Sequence, residues 1–518
     1  MGAVRVRTGG VIGDNIGYDI VTGGGASANR YISLKGLSMT VAGLGQGRVT
    51  MIEAGASEAP DSMIMEALEL AQPEIEARIE LQEELKEQVM KEAAESAVGA
   101  AFSLPRKESE WTILEPTAAT REVASRAAAT HAAALFARPH VTKRQRERVQ
   151  TQFWFNANRD MQQICVQEKP EGVDASDALR QRAIHDVLQN AIRESSLSNA
   201  GQVRPDGREL DQVRKITAGV DLFPGVHGSS LFSRGNTQVL CHVALGPRWQ
   251  EQRHLSYTEV VPSKPLTLNY SFPPYSVNRT GNIFGKNRRM VGHGALAERA
   301  LAPLLLRRDW SMPFTASINA EVTGSDGSSS MATVCAATLG LMDASVPLSA
   351  MAAGLSIGLY THPSDESKFV LPVDILGLED HFGDMDFKIA GTPTGVTAIQ
   401  LDIKRPYITL AVVEQALARA RAGRQHILEQ MVLQTGLDKP RMPPKACLPI
   451  ARRFVVPPLV LRGLRAGGRD LRERIQIATG AEFDVIDDDA LRVWAPTLEQ
   501  VNAALRELFP SQSGLADH

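Results

Sequence analysis

Hydrophobic and polar positions alternate most clearly where Phe314, Ala316, Ile318, Ala320 and Val322 interleave with Thr315, Ser317, Asn319 and Glu321. A period of two predicts a strand with one buried face. A Gly-Ser-Asp-Gly turn follows at 324–327, and the pattern then predicts a helix over 328–344. Leu37, Met39 and Val41 alternate with Ser38 and Thr40 and predict a second strand, with a helix after it over 62–71. Further strands are expected near 355–360, 369–373 and 399–403, with a long helix over 411–434. If 384–389 is a strand, Asp384, Asp386 and Lys388 share one face, while Met385, Phe387 and Ile389 point to the core.

Residues 74–200 carry a helical period instead. Ile75, Ile79, Leu85 and Val89 fall near one face, an Ala-rich run spans 123–137, and an amphipathic run spans 178–192. This stretch reads as a connector that packs on its neighbours, with no chemistry of its own. The chain therefore divides into 1–72, 73–202, 203–435, a Pro-rich linker at 436–451, and a small α/β unit at 452–510. An internal repeat links the first and third regions. Val41-Ala42-Gly43, three residues, then Gly47 matches Ile389-Ala390-Gly391, three residues, then Gly395, which points to two versions of one fold.

Composition narrows the class. The 518 residues leave room for roughly three or four domains at ~100–200 residues each. A formal net charge of -3 gives no chain-wide basic signature, so any nucleic-acid contact must come from local patches. One such patch is the stretch 451–475, where seven arginines face only Asp470 and Glu473. Cys165, Cys241, Cys335 and Cys447 form no C-x-x-C pair, which argues against zinc and disulfide frameworks. No apolar run approaches the ~20 residues of a membrane span. The opening residues show neither a signal-peptide nor a transit-segment pattern.

Three constellations could carry chemistry. Gly327-Ser328-Ser329-Ser330-Met331 lies between a predicted strand and a predicted helix. Unpartnered N–H groups and the positive end of the helix dipole, beside three hydroxyls, suit a phosphate; a plain serine N-cap is the alternative. Asp380, Asp386 and Lys388, with Asp384, suit a hard divalent cation with oxygen ligands, or else form an exposed ion-pair network. Arg288 and Arg289, with His293, offer planar donors for phosphate, or a solvated surface pair. Together, a phosphate cradle, a carboxylate-held metal and arginines are what phosphoryl transfer needs.

The runs 269–276, 327–331, 374–388, 231–235 and 51–55 resemble polynucleotide phosphorylase, and the resemblance covers nearly the whole chain. It implies an α+β protein with RNase PH-like cores (a ribosomal-protein-like α/β fold), an all-α connector and a KH-like domain. It implies that Ser328, Ser329 and Ser330 bind phosphate together with Arg288, Arg289 and His293. It implies that Asp380, Asp386 and Lys388 form the catalytic set, the two aspartates holding Mg²⁺ or Mn²⁺. The implied reaction is reversible 3′-to-5′ phosphorolysis of single-stranded RNA by inorganic phosphate, releasing nucleoside diphosphates. The alternative is a catalytically silent RNA-binding or structural subunit of a larger organellar assembly. The family's compartments are mitochondrion, chloroplast and bacterial cytoplasm; the mitochondrion is the expected one here. A homotrimer, or a complex with a chain supplying the rest of the first core, is the expected assembly.

Three departures stand out. Only 1–72 precede the helical region, so the front part of the first core is expected to be missing. The KH loop reads Arg465-Ala466-Gly467-Gly468, with arginine in place of its first glycine, so Arg465, Gly467, Gly468 and Arg469 are the expected RNA contacts. The OB-fold domain that often follows in the family is likewise expected to be missing. Ser38 and Thr40 hold the repeat positions of Asp386 and Lys388, so chemistry is expected only in the second core.

Overall fold

A computed structural model of the protein describes residues 2–12, 15–21, 36–95, 115–136, 139–140, 142–197, 204–247, 251, 264–283, 285, 287–305, 314–442, 444–485 and 490–509. Strands β1 (Gly2–Ile12), β2 (Asn15–Val21), β3 (Leu37–Gly45) and β4 (Arg48–Ala59) lead into helix α1 (Asp61–Glu95). Helices α2 (Ala118–Phe136), α3 (Lys143–Glu168) and α4 (Asp177–Leu197) follow. The next unit contains β5 (Ile216–Val220), β6 (Gly228–Arg234), β7 (Thr237–Pro247), β8 (Leu266–Ser271), α5 (Arg288–Leu301), β9 (Phe314–Gly324) and α6 (Ser329–Asp343). It continues with β10 (Ala353–His362), β11 (Asp365–Val370), α7 (Gly377–Phe382), β12 (Met385–Gly391), β13 (Val396–Ile403), β14 (Ile408–Thr409) and α8 (Leu410–Thr435). Last come β15 (Ile450–Val455), α9 (Pro458–Ala466), α10 (Gly468–Thr479), β16 (Glu482–Val485), β17 (Ala490–Ala495) and α11 (Leu498–Leu508).

The internal repeat is visible in the large sheet. Its order is β11-β10-β12-β13-β4-β3-β1-β2, with β14 also pairing β4. Reading outward from the antiparallel β13–β4 seam, each half presents a hairpin, then a third strand, then a fourth. The repeated glycines explain why the motif survives in both halves. A Cβ on Gly43 would lie 2.5 Å from the Arg48 carbonyl oxygen, and one on Gly391 would lie 2.2 Å from that of Gly395. Both hairpins therefore close only with glycine there.

A second sheet, β5-β6-β7-β9-β8, faces the first across α6. All fifteen residues of α6 are buried, as expected for a helix with almost no charge on any face. The predicted strand alternation holds: Met39 and Val41, and Met385, Phe387 and Ile389, are inaccessible.

Three boundaries differ from the sequence expectation. The helix expected over 62–71 continues through Pro73 to Glu95, so the boundary at 72 falls inside α1. Ile75 is buried, but Leu85 and Val89 on the same predicted face are exposed. The reason is length: 35 residues span roughly 52 Å at 1.5 Å each, and the strands beneath run out first. Second, the connector does not merely rest on its neighbour. Its apolar cluster includes Tyr360 and Phe382 of the following unit. Third, residues 436–451 are clasped to that unit. The inaccessible Asp343 receives Arg441 at 2.8 Å and Lys445 at 2.5 Å, and Lys445 also reaches Asp221 at 2.8 Å.

The C-terminal unit runs β-α-α-β-β-α, with sheet order β15-β17-β16. It has its own core around Leu461, Ile475, Phe483, Val493 and Leu505.

Candidate active site

The Gly-Ser turn is shaped by backbone crowding. Gly327 has φ +94°, and a Cβ there would come within 2.6 Å of the Gly377 nitrogen and 2.8 Å of the Ile375 carbonyl oxygen. This close approach seats the start of α6 directly against the start of α7. Ser328 is the N-cap of α6, held in the left-handed region at φ 55°, yet its hydroxyl makes no capping bond. The plain-cap alternative therefore fails. The Ser329 hydroxyl is engaged with the Tyr270 hydroxyl at 2.8 Å. The hydroxyls of Ser328 and Ser330 are buried and have no protein partner.

The carboxylates sit opposite. Asp386 and Lys388 lie on β12 and are only 8% and 5% exposed, so they are not a surface ion-pair network. Lys388 Nζ lies 2.8 Å from Asp386 Oδ2 and 3.0 Å from Asp402 Oδ2. Burial works against charge on Lys388, but Asp386 and then Asp402 outweigh it and raise its pKa. Burial pushes Asp386 up, against the pull of Lys388, and its Oδ1 is left without a partner. Asp380 lies on α7, is about half exposed, and is held by Lys404 at 3.3 Å. Asp402 comes from β13, whose register sets it opposite Asp386, and Lys404 follows directly after that strand. Asp384 faces elsewhere: it binds Arg193 at 2.6 Å and accepts from the Thr361 N–H at 2.9 Å.

His293 closes the third side from α5. Burial, then Lys388 and Arg289, push its pKa down to about 3, so its ring is neutral near pH 7. Its Nδ1 is also buried and unpartnered. Arg289 lies over the Phe272 ring, 4.4 Å from the centroid. Arg288 is exposed and does not line the cleft. The cleft encloses about 1360 Å³, and Ser328, Ser330, Asp380, Asp386, Lys388 and His293 all line it.

Under the cleft is a buried charge network built from residues far apart in sequence. Asp374, inaccessible, contacts Arg214 at 2.6 Å and Arg234 at 2.9 Å, and Arg204 meets Glu379 at 2.6 Å. Arg214 also donates to the Asp326 carbonyl at 2.8 Å, and Arg234 to that of Ser328 at 3.2 Å. The network thus fixes the backbone of the serine turn. The connector was expected to carry no chemistry, but it forms one wall. Lys143 of α3 donates to the Ser325 carbonyl at 2.7 Å, Arg146 pairs with Asp326, and Trp154 lines the cleft.

Among the described residues, no three His, Cys, Asp or Glu side chains converge as a metal-ligand set. Asp380 and Asp386 alone suit Mg²⁺, which keeps several waters and takes only one or two protein carboxylates. The unpartnered Oδ1 of Asp386 fits such an ion. In the first half, Ser38 accepts from Arg5 at 2.9 and 3.1 Å, so a hydroxyl held by a guanidinium, and no carboxylate, occupies the matching position. Arg465, Gly467, Gly468 and Arg469 lie at the α9–α10 junction, away from the cleft lining, with Arg465 and Arg469 exposed.

Residues 212–347 match the 3′ exoribonuclease family, domain 1 (RNase PH). The chain is 36% identical over 476 residues to the polyribonucleotide nucleotidyltransferase of Rhodopirellula baltica, covering 91% of this chain and 58% of that protein. It is 38% identical over 457 residues to that of Oleidesulfovibrio alaskensis, covering 88% and 57%. It is 37% identical over 465 residues to the mitochondrial polyribonucleotide nucleotidyltransferase 2 of Arabidopsis thaliana, covering 89% and 44%. The chain thus spans less than two thirds of the length of these relatives. The crystal structure of rice (Oryza sativa) Rrp46 aligns at TM-score 0.34 and 20% identity, covering 44% of this chain and 98% of that one, too weak a likeness to bear on the fold. Residues 212–347 thus match an RNase PH-type domain, and along nine-tenths of its length the chain is similar to polyribonucleotide nucleotidyltransferases.

Proposed function

We propose that the protein is a phosphorolytic 3′-to-5′ exoribonuclease that releases nucleoside diphosphates from single-stranded RNA. One observation carries this reading. Five buried polar atoms without a hydrogen-bond partner line a single cleft: Ser328 Oγ, Ser330 Oγ, His293 Nδ1 and Asp386 Oδ1, and on α4 His185 Nδ1. Buried polar groups are almost always satisfied, so this grouping marks a polar occupant. The hydroxyls and the α6 N-terminus supply donors for an anion, Arg289 adds charge, and the carboxylate supplies an acceptor.

In the proposed reaction, Ser328, Ser330 and Arg289 hold inorganic phosphate. One of its oxygens attacks the phosphorus of the 3′-terminal linkage. The P–O3′ bond breaks, the terminal nucleotide leaves as a diphosphate, and the 3′ oxygen of the shortened chain takes up a proton. Neutral His293 can donate from one ring nitrogen and accept at the other. Lys388, fixed between Asp386 and Asp402, is placed to stabilise charge on the scissile phosphate. A Mg²⁺ or Mn²⁺ held by Asp380 and Asp386 would neutralise charge that builds at phosphorus. The arginines of the C-terminal unit, KH-like in element order, would hold the RNA backbone. The names of relatives support RNA as a substrate and, through the Arabidopsis protein, a mitochondrial setting. A homo-oligomer is the proposed assembly, to be read by native mass spectrometry.

The test is release of adenosine diphosphate from poly(A) with phosphate and Mg²⁺. Asp386→Asn should remove most turnover without loss of fold. Wild-type turnover in that variant, or full activity in chelator, would overturn the assignment. An inactive wild type under every phosphate and metal condition would point to a silent structural subunit.

A further inference from the structure

The connector wall is not uniform. Along α3, Lys143, Glu147, Gln150, Thr151 and Trp154 all line the cleft, at spacings of four, seven, eight and eleven from the first, which is one helical face. The near end of this face is bolted to the phosphate turn through Lys143 and Arg146. The far end carries the half-buried Trp154, braced edge-on by the buried Phe153 at 5.6 Å. The same cleft is lined by His185 of α4 with His381 and Phe382 of α7, whose ring centroids lie 4.7–5.6 Å apart. His185 Nδ1 is buried and has no hydrogen-bond partner. The cleft thus has a charged end around Ser330 and Asp386, and an aromatic end built jointly by the connector and α7. The two ends are rigidly linked, because Phe382 belongs to the connector's own apolar cluster.

Phosphate and cation chemistry accounts for the charged end only. An aromatic wall with an amide one turn away matches a different ligand part: a flat, weakly polar ring with donors and acceptors on its edge. We propose that α3 and α4 supply the nucleobase wall of the site. Trp154 is the stacking platform for a base near the RNA 3′ end, and Gln150 is the edge contact. This rests on the proposed phosphorolytic reading for its substrate, though not for its geometry. A base has a π-face whatever its identity, so stacking tolerates any sequence, as an exonuclease requires. The connector then acts as part of the substrate site and not as a spacer.

Two measurements test it. In phosphorolysis of a short oligonucleotide, Trp154→Ala should raise KM for RNA about tenfold, the size expected for one lost base–aromatic stack, with KM for phosphate unchanged. Trp154→Phe, which keeps an aromatic face, should recover most of the loss. Equal KM for RNA in wild type and Trp154→Ala, or a parallel rise in KM for phosphate, would overturn the proposal. The second measurement needs no turnover. Oligonucleotide binding should quench tryptophan fluorescence in the wild type, and Trp154→Phe should lose that quench while its thermal midpoint stays at the wild-type value. Persistence of the quench in Trp154→Phe overturns the base wall even if phosphorolysis is observed. A quench that depends on Trp154 in an enzyme that releases no diphosphate would instead uphold the base wall and sink the phosphorolytic reading.

Discussion

Asp374→Asn removes one negative charge from beneath the serine turn and changes the side-chain volume little. The carboxylate is inaccessible. Arg214 grips it at both oxygens, 2.6 and 2.8 Å, Arg234 lies 2.9 Å away and Arg208 3.5 Å. Burial opposes its ionisation, but Arg214 and then Arg234 outweigh burial and hold it well below the usual carboxylate range. Removing one partner of a buried pair costs about 3–5 kcal/mol. The bidentate grip and the guanidiniums left behind place this case toward the upper end. At roughly 2–4 °C per kcal/mol for a core of 150–250 residues, the unfolding midpoint should fall on the order of 10 °C. The pH dependence has a fixed sign. The folded pKa is depressed, so the stabilisation is full above the unfolded value of about 3.9 and is lost as pH falls below it. The slope from this one group is at most ~1.4 kcal/mol per pH unit, and the asparagine variant should lack it. Scanning calorimetry at pH 7 and in steps down to pH 3 reads both effects. KM for phosphate should also rise, because Arg214 and Arg234 hold the carbonyls of Asp326 and Ser328. A midpoint within about 2 °C of wild type, with a parallel pH profile, would refute this account of the network.

Ser330→Ala should raise KM for phosphate by roughly tenfold or more, the value of about 1.5–3 kcal/mol for a hydrogen bond to a charged group. Ser329→Ala should do less and should match Tyr270→Phe, because those two hydroxyls bind each other; initial rates against phosphate concentration separate them. Deleting 450–518 should weaken RNA binding and flatten its salt dependence by about 0.7 in slope per lost phosphate contact; filter binding at several salt concentrations checks this, and equal slopes would exclude arginine–phosphate contacts there. Gly391→Ala should fail to give a cooperatively folded protein, since its Cβ would sit 2.2 Å from the Gly395 carbonyl oxygen; the circular dichroism melt reads it.

Local periodicity carried much of this site. The alternation at 384–389 put Asp386 and Lys388 on one face because side chains two apart in a strand must share it. It could not separate Asp384, which shares the alternation but turns to Arg193. Asp402 was missed because it enters through the pairing register of β13, with Lys404 just beyond the strand, a relation between strands that no spacing along one strand reveals. The Pro273-Pro274 run was read as family resemblance only, yet Phe272 beside it holds Arg289 in place. The three serines looked alike in sequence. Only the structure shows that Tyr270 occupies one of them. The charge network was illegible for the same reason as Asp402: Arg204 and Glu379 are 175 residues apart and meet only when the chain is folded. Leu85 and Val89 misled in the opposite sense, since an apolar stripe says nothing of whether a sheet lies beneath it.

The clasp at Asp343 sets a leash. Lys445 is pinned to the unit that carries the cleft, and the C-terminal unit begins at Ile450, five residues on. Even fully extended, five residues reach only ~17 Å. On the proposed function, RNA held by the C-terminal unit would therefore stay within a small volume, where the effective concentration for the second contact is on the order of millimolar. A weak grip then suffices. On the proposed function, a loop of low intrinsic affinity would still hold a strand near the cleft long enough for another nucleotide to enter, and processivity would then depend more on Asp343 than on the loop's own affinity.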